Sequence, residues 1–436
     1  MLLPQYNCEN GGPAPESLTG AIFERTKAIA EYRVAEGLAE VDLGAPGVHD
    51  LGGGFAVEVF DGTEAHIALL RGIFDFAAIR ALLARPDFRM VYDGMHGVAG
   101  STARRVFVDL LGAPEEALLN CVPKPDFGGG HPDPNLTYAK ELVAVMFAEG
   151  GPQFGAAADG DADRNMILGG RFFVTPSDSV AVIAANAEAC IPYFKGGLKG
   201  VARSMPTSRA LDRVAEQLGM ELNEVPTGWK FFGSLMDAGR CSICGEESFG
   251  TGSDHIREKD GAWAVLAWLQ ILAAKNAAAG DLVTVEKIVT DHWARFGRNY
   301  YTRYDYENVE TEAAARVFAH LEAQMGDLAA LNAKAEGSGY AVEAADVFCY
   351  TDPVNGAVSA NQGLRFLMRD GSRFVFRLSG TGSSGATIRM YVEKYAAPGG
   401  ELGLETAAAL KELVALALKV SDLAALTGRA EPTVIT

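Results

Sequence analysis

The sequence predicts an α/β protein of several domains, with repeated α/β sheet domains followed by a distinct C-terminal α+β domain. Three observations carry that expectation. At 436 residues the chain is too long for one ordinary core. Strand-like and helical stretches alternate from about residue 64 to 294, the pattern of α/β layers. Beyond about residue 295 the pattern changes to alternating β-type stretches, "NYYTRYDYE" and "RFVFRLSG", with helices near 310–325 and 403–418.

The elements follow in order. "PESLTGAIFERTKAIAEY" opens with Pro15 and Glu16 in a first turn and carries apolar residues at helical spacing. After the glycine-rich break at 52–54, "FRMVYDG" reads as a strand and "GSTARRVFVDLLGA" as the helix after it. "PQFGAAADGD" reads as a strand whose C-terminal end delivers aspartates. A second cycle has a helix over "PSDSVAVIAANAEAC", a strand over "GVARSM", a helix over "TSRALDRVAEQLG" and a strand over "MELNEVP". "AWAVLAWLQILAA", from Ala262, is too short to span a bilayer and is interrupted by Gln270, so it reads as a buried helix. Ligand sites in open α/β sheets lie at the carboxyl ends of strands, where these loops fall.

Composition narrows the function. Hydrophobic residues make up 48% and charged residues 22%, which describes a folded chain. With 38 basic and 56 acidic residues the net charge is −18, which argues against a general nucleic-acid or anionic-membrane surface. An anionic substrate would need positive charge concentrated locally. The N-terminus lacks the basic and apolar stretches of a signal peptide. Six cysteines do not make a disulfide framework, and Cys241-x-x-Cys244 has no second pair at zinc spacing, so a reducing cytoplasm is expected.

Four stretches carry chemistry. "DGDADR" places Asp159, Asp161 and Asp163 at alternate positions ahead of Arg164. An EF-hand needs Gly at position six and Glu at position twelve, where this chain has Arg164 and Gly170, so a calcium loop is excluded. A compact turn with three monodentate oxygens suits Mg²⁺ shared with a phosphate, and Arg164 suits that phosphate. "RLSGTGSSGATIR" ends a strand at Arg377 and sets Ser379, Gly380, Thr381, Gly382, Ser383 and Ser384 before Arg389. Converging N–H groups, hydroxyls and two arginines can hold a phosphate without metal, and the absence of a following Lys excludes a Walker A loop. "CGEESFGTGSDHIREKDG" gathers Glu246, Ser248, His255, Arg257 and Lys259; the first two suit sugar hydroxyls and Lys259 suits an acid, base or phosphate anchor. "VPTGWKFFG" puts Thr227 and Gly228 at a strand-to-helix turn with exposed N–H groups. In "DGMHGVAG", His96 reads as structural.

The metal loop, the Gly-Glu-Glu-Ser-Phe-Gly loop and the Arg-Leu-Ser-Gly-Thr-Gly loop, in that order, resemble the α-D-phosphohexomutases. The resemblance runs from "NGGPAPE" to the terminal "PTVIT" and includes "HPDPNLTYA", "RSMPTS" and "TGSDHIREKDG". Phe249 stands where other branches carry Gly-His, which points to the glucose-specific branch and away from mannose or N-acetylglucosamine phosphates. The resemblance implies that Asp159, Asp161 and Asp163 bind Mg²⁺, that Arg164 lies beside the transferred phosphoryl group, and that Lys259 is the general acid/base. It implies sugar contacts at Thr227, Gly228, Glu246 and Ser248, and a phosphate clamp of Arg377, Ser379, Gly380, Thr381 and Arg389.

The implied reaction interconverts glucose 1-phosphate and glucose 6-phosphate through glucose 1,6-bisphosphate and a phosphoserine. The implied protein is a cytoplasmic monomer with a hexose phosphate partner, no nucleic acid and no membrane. Four domains are expected: a remnant at 1–63, then 64–176 with the metal loop, 177–294 with the sugar loop and 295–436 with the phosphate loop. The family's Thr-Ala-Ser-His-Asn-Pro loop is absent, since none of the seven histidines is followed by Asn. The expectation is therefore a chain lacking most of the first domain and its nucleophile, inactive until that segment is restored. The competing expectation is a sugar-phosphate-binding fragment without turnover.

Overall fold

The computed structural model describes residues 6–278, 280–379 and 385–436. Three main sheets organise it. In the first, Met90–Asp93 pairs in parallel with Leu118–Leu119 on one side and Phe154–Ala158 on the other; Asn165–Gly169 and Phe172–Val174 extend it antiparallel. Both Met90–Asp93 and Phe154–Ala158 are buried throughout, which explains their unbroken apolar reading. In the second sheet Val201–Ser204 lies between Leu222–Val225 and Ile243–Gly245, parallel to both, and Thr251–Ser253 closes the edge antiparallel. These two sheets share one hydrophobic core. The Gly261–Lys275 and Pro176–Cys190 helices run through it, joined where Trp268 Nε1 donates to Ser179 Oγ at 2.8 Å.

The third sheet is antiparallel, in the order Val342–Val347, Leu364–Met368, Arg373–Ser379, Ala386–Ala396, Arg298–Val309, Val434–Ile435. One face packs apolar residues such as Phe374, Phe376, Ile388 and Met390 under the Thr311–Met325 and Thr406–Ser421 helices. The other carries charged residues toward the second sheet, against a smaller apolar cluster that includes Met205, Trp229, Tyr301 and Tyr391. Among the described residues no helix is long and apolar enough to cross a membrane.

Several local readings change. The first helix stops at Thr26 rather than near Tyr32. Most of its apolar residues stay exposed, Phe23 at 60%, so little packing extends it, and Thr26 Oγ1 donates locally to Phe23 O. The helix after the first central strand is α-helical over Ala99–Ala103 and continues as a π-helix over Arg104–Leu110, burying Val106 and Phe107. The strand read as ending at Arg377 runs on to Ser379. All six cysteines are free; Cys241 and Cys244 are buried, and burial pushes the Cys244 thiol well up, against a thiolate role.

Candidate active site

The Phe154–Ala158 strand ends directly in the aspartate loop, which is clamped by two glycines. A Cβ on Gly97 would lie 2.8 Å from the carbonyl oxygens of Asp159 and Gly160, and one on Gly261 would lie 2.6 Å from Arg164 O. The glycines of "DGMHGVAG" and "EKDG" thus let two neighbouring segments press on the loop. Ala162, Met95, His96 and Phe249 adopt left-handed φ, so strained backbone is gathered around this point. His96 Nδ1 meets Val122 O at 2.9 Å, in keeping with a structural role.

Asp159, Asp161 and Asp163 can each offer one carboxylate oxygen, and these atoms lie within 4.8 Å of one another. Asp159 is buried, Asp163 half-buried and Asp161 exposed. Burial, together with the Asp163 and Asp161 carboxylates, pushes the Asp159 carboxyl up to about 7. Three crowded carboxylates, with a shielded Asp163 Oδ1 that lies 3.6 Å from Arg164 Nε and has no hydrogen-bond partner among the described residues, form the hard-oxygen set that fits Mg²⁺. Arg164 closes over them: its N–H donates to Asp159 Oδ1 at 3.0 Å, Nε lies 3.2 Å from Asp159 Oδ2, and Nη1 donates to Asp133 Oδ1 at 3.0 Å.

Lys259 Nζ lies 2.8 Å from Asp163 Oδ2, which ties the sugar loop to the metal loop. Burial works against its charge, but Glu246 and Asp163 outweigh it and hold the ammonium above its usual range. Glu246 is buried, which raises its carboxyl against the pull of Lys259. Its Oε1 accepts from Gly228 N at 3.0 Å, so that N–H is engaged rather than free as the sequence suggested. Thr227 Oγ1 is buried without a hydrogen-bond partner among the described residues. Phe249, 3% exposed, anchors the loop by accepting hydrogen bonds from Asn165 N at 2.9 Å and Asn165 Nδ2 at 3.1 Å.

One cavity of about 620 Å³ brings these loops together: Asp163, Arg164, Thr227, Gly228, Glu246, Ser248, Lys259 and Arg389 all line it. Asp161 instead faces an adjoining cavity that Asp163 and Lys259 also line. Arg377 is not among the described residues that line the larger cavity, and its Nη1 donates to Tyr391 OH at 3.4 Å; Ser379 is the last residue of its strand. Gly380 and Thr381 lie outside the described residues. The same cavity is lined by His131, Asp133, Trp229, Arg303 and Asp305, which sequence reasoning did not single out. For Arg303 and Asp305 a signal existed, since their spacing of two puts both on one face of a strand.

Comparison with known proteins decides the family. The phosphoglucomutase/phosphomannomutase α/β/α domain II model matches residues 64–171, the α/β/α domain III model matches 176–296, and the phosphoglucomutase-1 C-terminal domain model matches 298–433. The chain belongs to the phosphoglucomutase/phosphomannomutase family. Within that family it is 61% identical to a probable cytoplasmic phosphoglucomutase 2 of Arabidopsis thaliana, over 99% of this chain and 77% of that protein. It is also 61% identical to a cytoplasmic phosphoglucomutase of Bromus inermis, with the same coverage. The crystal structure of the Paramecium phosphoprotein pp63/parafusin, a phosphoglucomutase in its open form, superposes with a TM-score of 0.88 at 52% identity, over 99% of this chain and 76% of that one. By these resemblances the phosphoglucomutase/phosphomannomutase chain is an enzyme of the isomerase, intramolecular phosphotransferase type.

Proposed function

We propose that this chain provides the metal, sugar and phosphate sites for interconverting glucose 1-phosphate and glucose 6-phosphate through glucose 1,6-bisphosphate in the cytoplasm. The observation that carries this reading is the single cavity into which the aspartate loop, the Glu246–Ser248 loop and Arg389 all open. Asp159, Asp161 and Asp163 would hold Mg²⁺, which when bound neutralises charge on the transferring phosphoryl group. Arg164, fixed by Asp133 and Asp159, orients that group from the protein side.

Glu246, Ser248, Thr227 and Gly228 read the sugar hydroxyls; a buried polar site rejects analogues that leave its groups unpaired. Lys259 stands protonated, so it is the acid that donates to the oxygen a departing phosphoryl group leaves behind. Arg377, Ser379, Gly380, Thr381 and Arg389 hold the phosphate that is not being transferred. We place the phosphoserine outside this chain. The Thr-Ala-Ser-His-Asn-Pro loop is absent from its sequence, and among the described residues the cavity beside Asp161 and Asp163 is lined without a hydroxyl side chain.

Competition calorimetry tests the sugar assignment. The chain should bind glucose 1-phosphate in preference to mannose 1-phosphate, and Glu246→Ala should remove the preference while leaving the melting temperature near the parent's. Equal affinity for both sugars in the parent would refute the assignment.

A further inference from the structure

The sugar loop has a second side. Glu246 and Ser248 line the catalytic cavity, whereas Glu247 lines another cavity of about 510 Å³, and Phe249 borders both. The second cavity lies where several elements meet. Phe173 comes from the Phe172–Val174 strand, Pro176 from the Pro176–Cys190 helix, Tyr301 from the Arg298–Val309 strand, and Leu410 and Val414 from the Thr406–Ser421 helix. Phe249, Tyr301 and Leu410 are all buried, so the cavity reaches into the fold. Its volume and its chiefly apolar walls with few polar groups are those of a small-molecule site.

Glu247 supplies the polar group. It is 3% exposed, and its Oε2 accepts from Ser204 Oγ at 2.9 Å and from Thr207 Oγ1 at 3.2 Å. Its Oε1 is shielded and has no hydrogen-bond partner among the described residues. A buried acceptor without a donor is costly, and a ligand's N–H or O–H would remove that cost. The charge of Glu247 already acts on the Arg303 and Arg377 guanidiniums, so a donor is called for rather than a cation. At the cavity's rim the exposed Glu405 and Lys411 offset one another in charge.

We propose that this cavity is a second ligand site, that it takes a neutral aromatic molecule with one N–H or O–H donor directed at Glu247 Oε1, and that its occupancy tightens sugar-phosphate binding. Two connections lead from it to the catalytic cavity. Asn135 lines the second cavity and donates from Nδ2 to Asp133 Oδ2 at 2.8 Å, and Asp133 Oδ1 accepts from Arg164 Nη1 at 3.0 Å. Phe249 shares its loop with Glu246 and Ser248, and its carbonyl accepts from Asn165, the residue after Arg164. A ligand packed against Asn135 and Phe249 holds Arg164 and the sugar loop in place together. By linkage, each ligand then tightens the other by the same factor. The site itself stands apart from the sugar-phosphate reading; the coupling rests on it.

The test is fluorine NMR titration of the 436-residue chain with 5-fluoroindole, an aromatic probe with one N–H. Saturable binding with a dissociation constant of about 1 mM or tighter is expected for a ligand of about ten heavy atoms. The N-methyl analogue keeps the ring and loses the donor, and should bind at least about fivefold more weakly. Ala407→Trp, at an exposed position on the rim, should weaken the probe at least about tenfold by filling the space and leave glucose 1-phosphate affinity unchanged. Saturating glucose 1-phosphate should tighten the probe by at least about threefold. No saturable binding, displacement of the probe by glucose 1-phosphate, or unchanged binding by Ala407→Trp overturns the site. Equal affinity for the N-methyl analogue overturns the ligand class, and independent binding of the two ligands overturns the coupling. Failure of glucose 1-phosphate to bind at all overturns the sugar-phosphate reading and the coupling, while the probe's site stands.

Discussion

Gly250 lies where the sugar loop passes under Lys259. A Cβ there would sit 2.4 Å from Lys259 Cδ, about 1 Å short of ordinary van der Waals contact, which begins at 3.4 Å, and 3.3 Å from Glu246 Oε2. Gly250 is not among the residues with left-handed φ, so alanine is compatible with the backbone and the perturbation is steric. Overpacking of this kind costs about 1–3 kcal/mol if the lysine holds its place. If the lysine yields instead, its 2.8 Å contact with Asp163 is lost and the cavity wall beside Glu246 moves. Gly250→Ala should therefore weaken glucose 1-phosphate binding by about 1–2 kcal/mol, the scale of a displaced charge-assisted contact. The decisive assay is a double-mutant cycle with Lys259→Ala, read by calorimetric dissociation constants and by melting temperature. Without the Lys259 stem the two closest approaches of the new methyl group are gone and the 3.3 Å approach to Glu246 Oε2 is the nearest left, so the second substitution should cost much less than in the parent. Additive costs, to within about 0.3 kcal/mol, would refute the claim that Gly250 exists to let Lys259 cross.

Arg377→Ala and Arg389→Ala should each weaken glucose 1-phosphate binding by roughly 1.5–3 kcal/mol in chelator; unchanged calorimetric affinity in both would remove the clamp assignment. Asp161→Asn should abolish Mn²⁺ binding detected by electron paramagnetic resonance and leave metal-free sugar-phosphate binding intact, because Asp161 is the exposed member of the aspartate set and does not line the larger cavity. Stability should also fall in acid through His292, whose imidazole is pushed down to about 3, chiefly by burial. A depressed base is neutral when folded and charged when unfolded, so its contribution is present above about pH 6.5 and is lost progressively toward pH 3. His292→Phe, which preserves the ring contact with Phe296, should flatten that limb of denaturant midpoint against pH, and an unchanged slope would contradict it.

Much of this was legible in the sequence because it is local. Alternation of buried strands and helices marked both parallel-type sheets, and the acidic residues of "DGDADR" stand close together because they share one turn. Gly-rich turns could be read as turns, but not what they approach: Gly97 and Gly261 clamp a loop far from them in sequence. The engagement of Gly228 N–H by Glu246 joins residues of two different loops and has no sequence signature. Asp133 sat in a Pro-flanked stretch that offered no reason to reach Arg164. Arg303 and Asp305 were visible only as alternating residues of a strand; strand pairing places them beside Arg389, and register is set by long-range packing. The first helix was overextended because helical spacing says nothing of whether an apolar face finds a partner.

The central claim is that the aspartate loop and the arginine face hold opposite ends of one sugar phosphate. Phosphorus relaxation in glucose 1,6-bisphosphate bound to the Mn²⁺-loaded chain tests this most directly. The two phosphates should relax unequally, one strongly beside the aspartates and one weakly at Arg389, and Asp161→Asn should erase the difference. Equal relaxation of both phosphates, or none above the free ligand, would contradict the account.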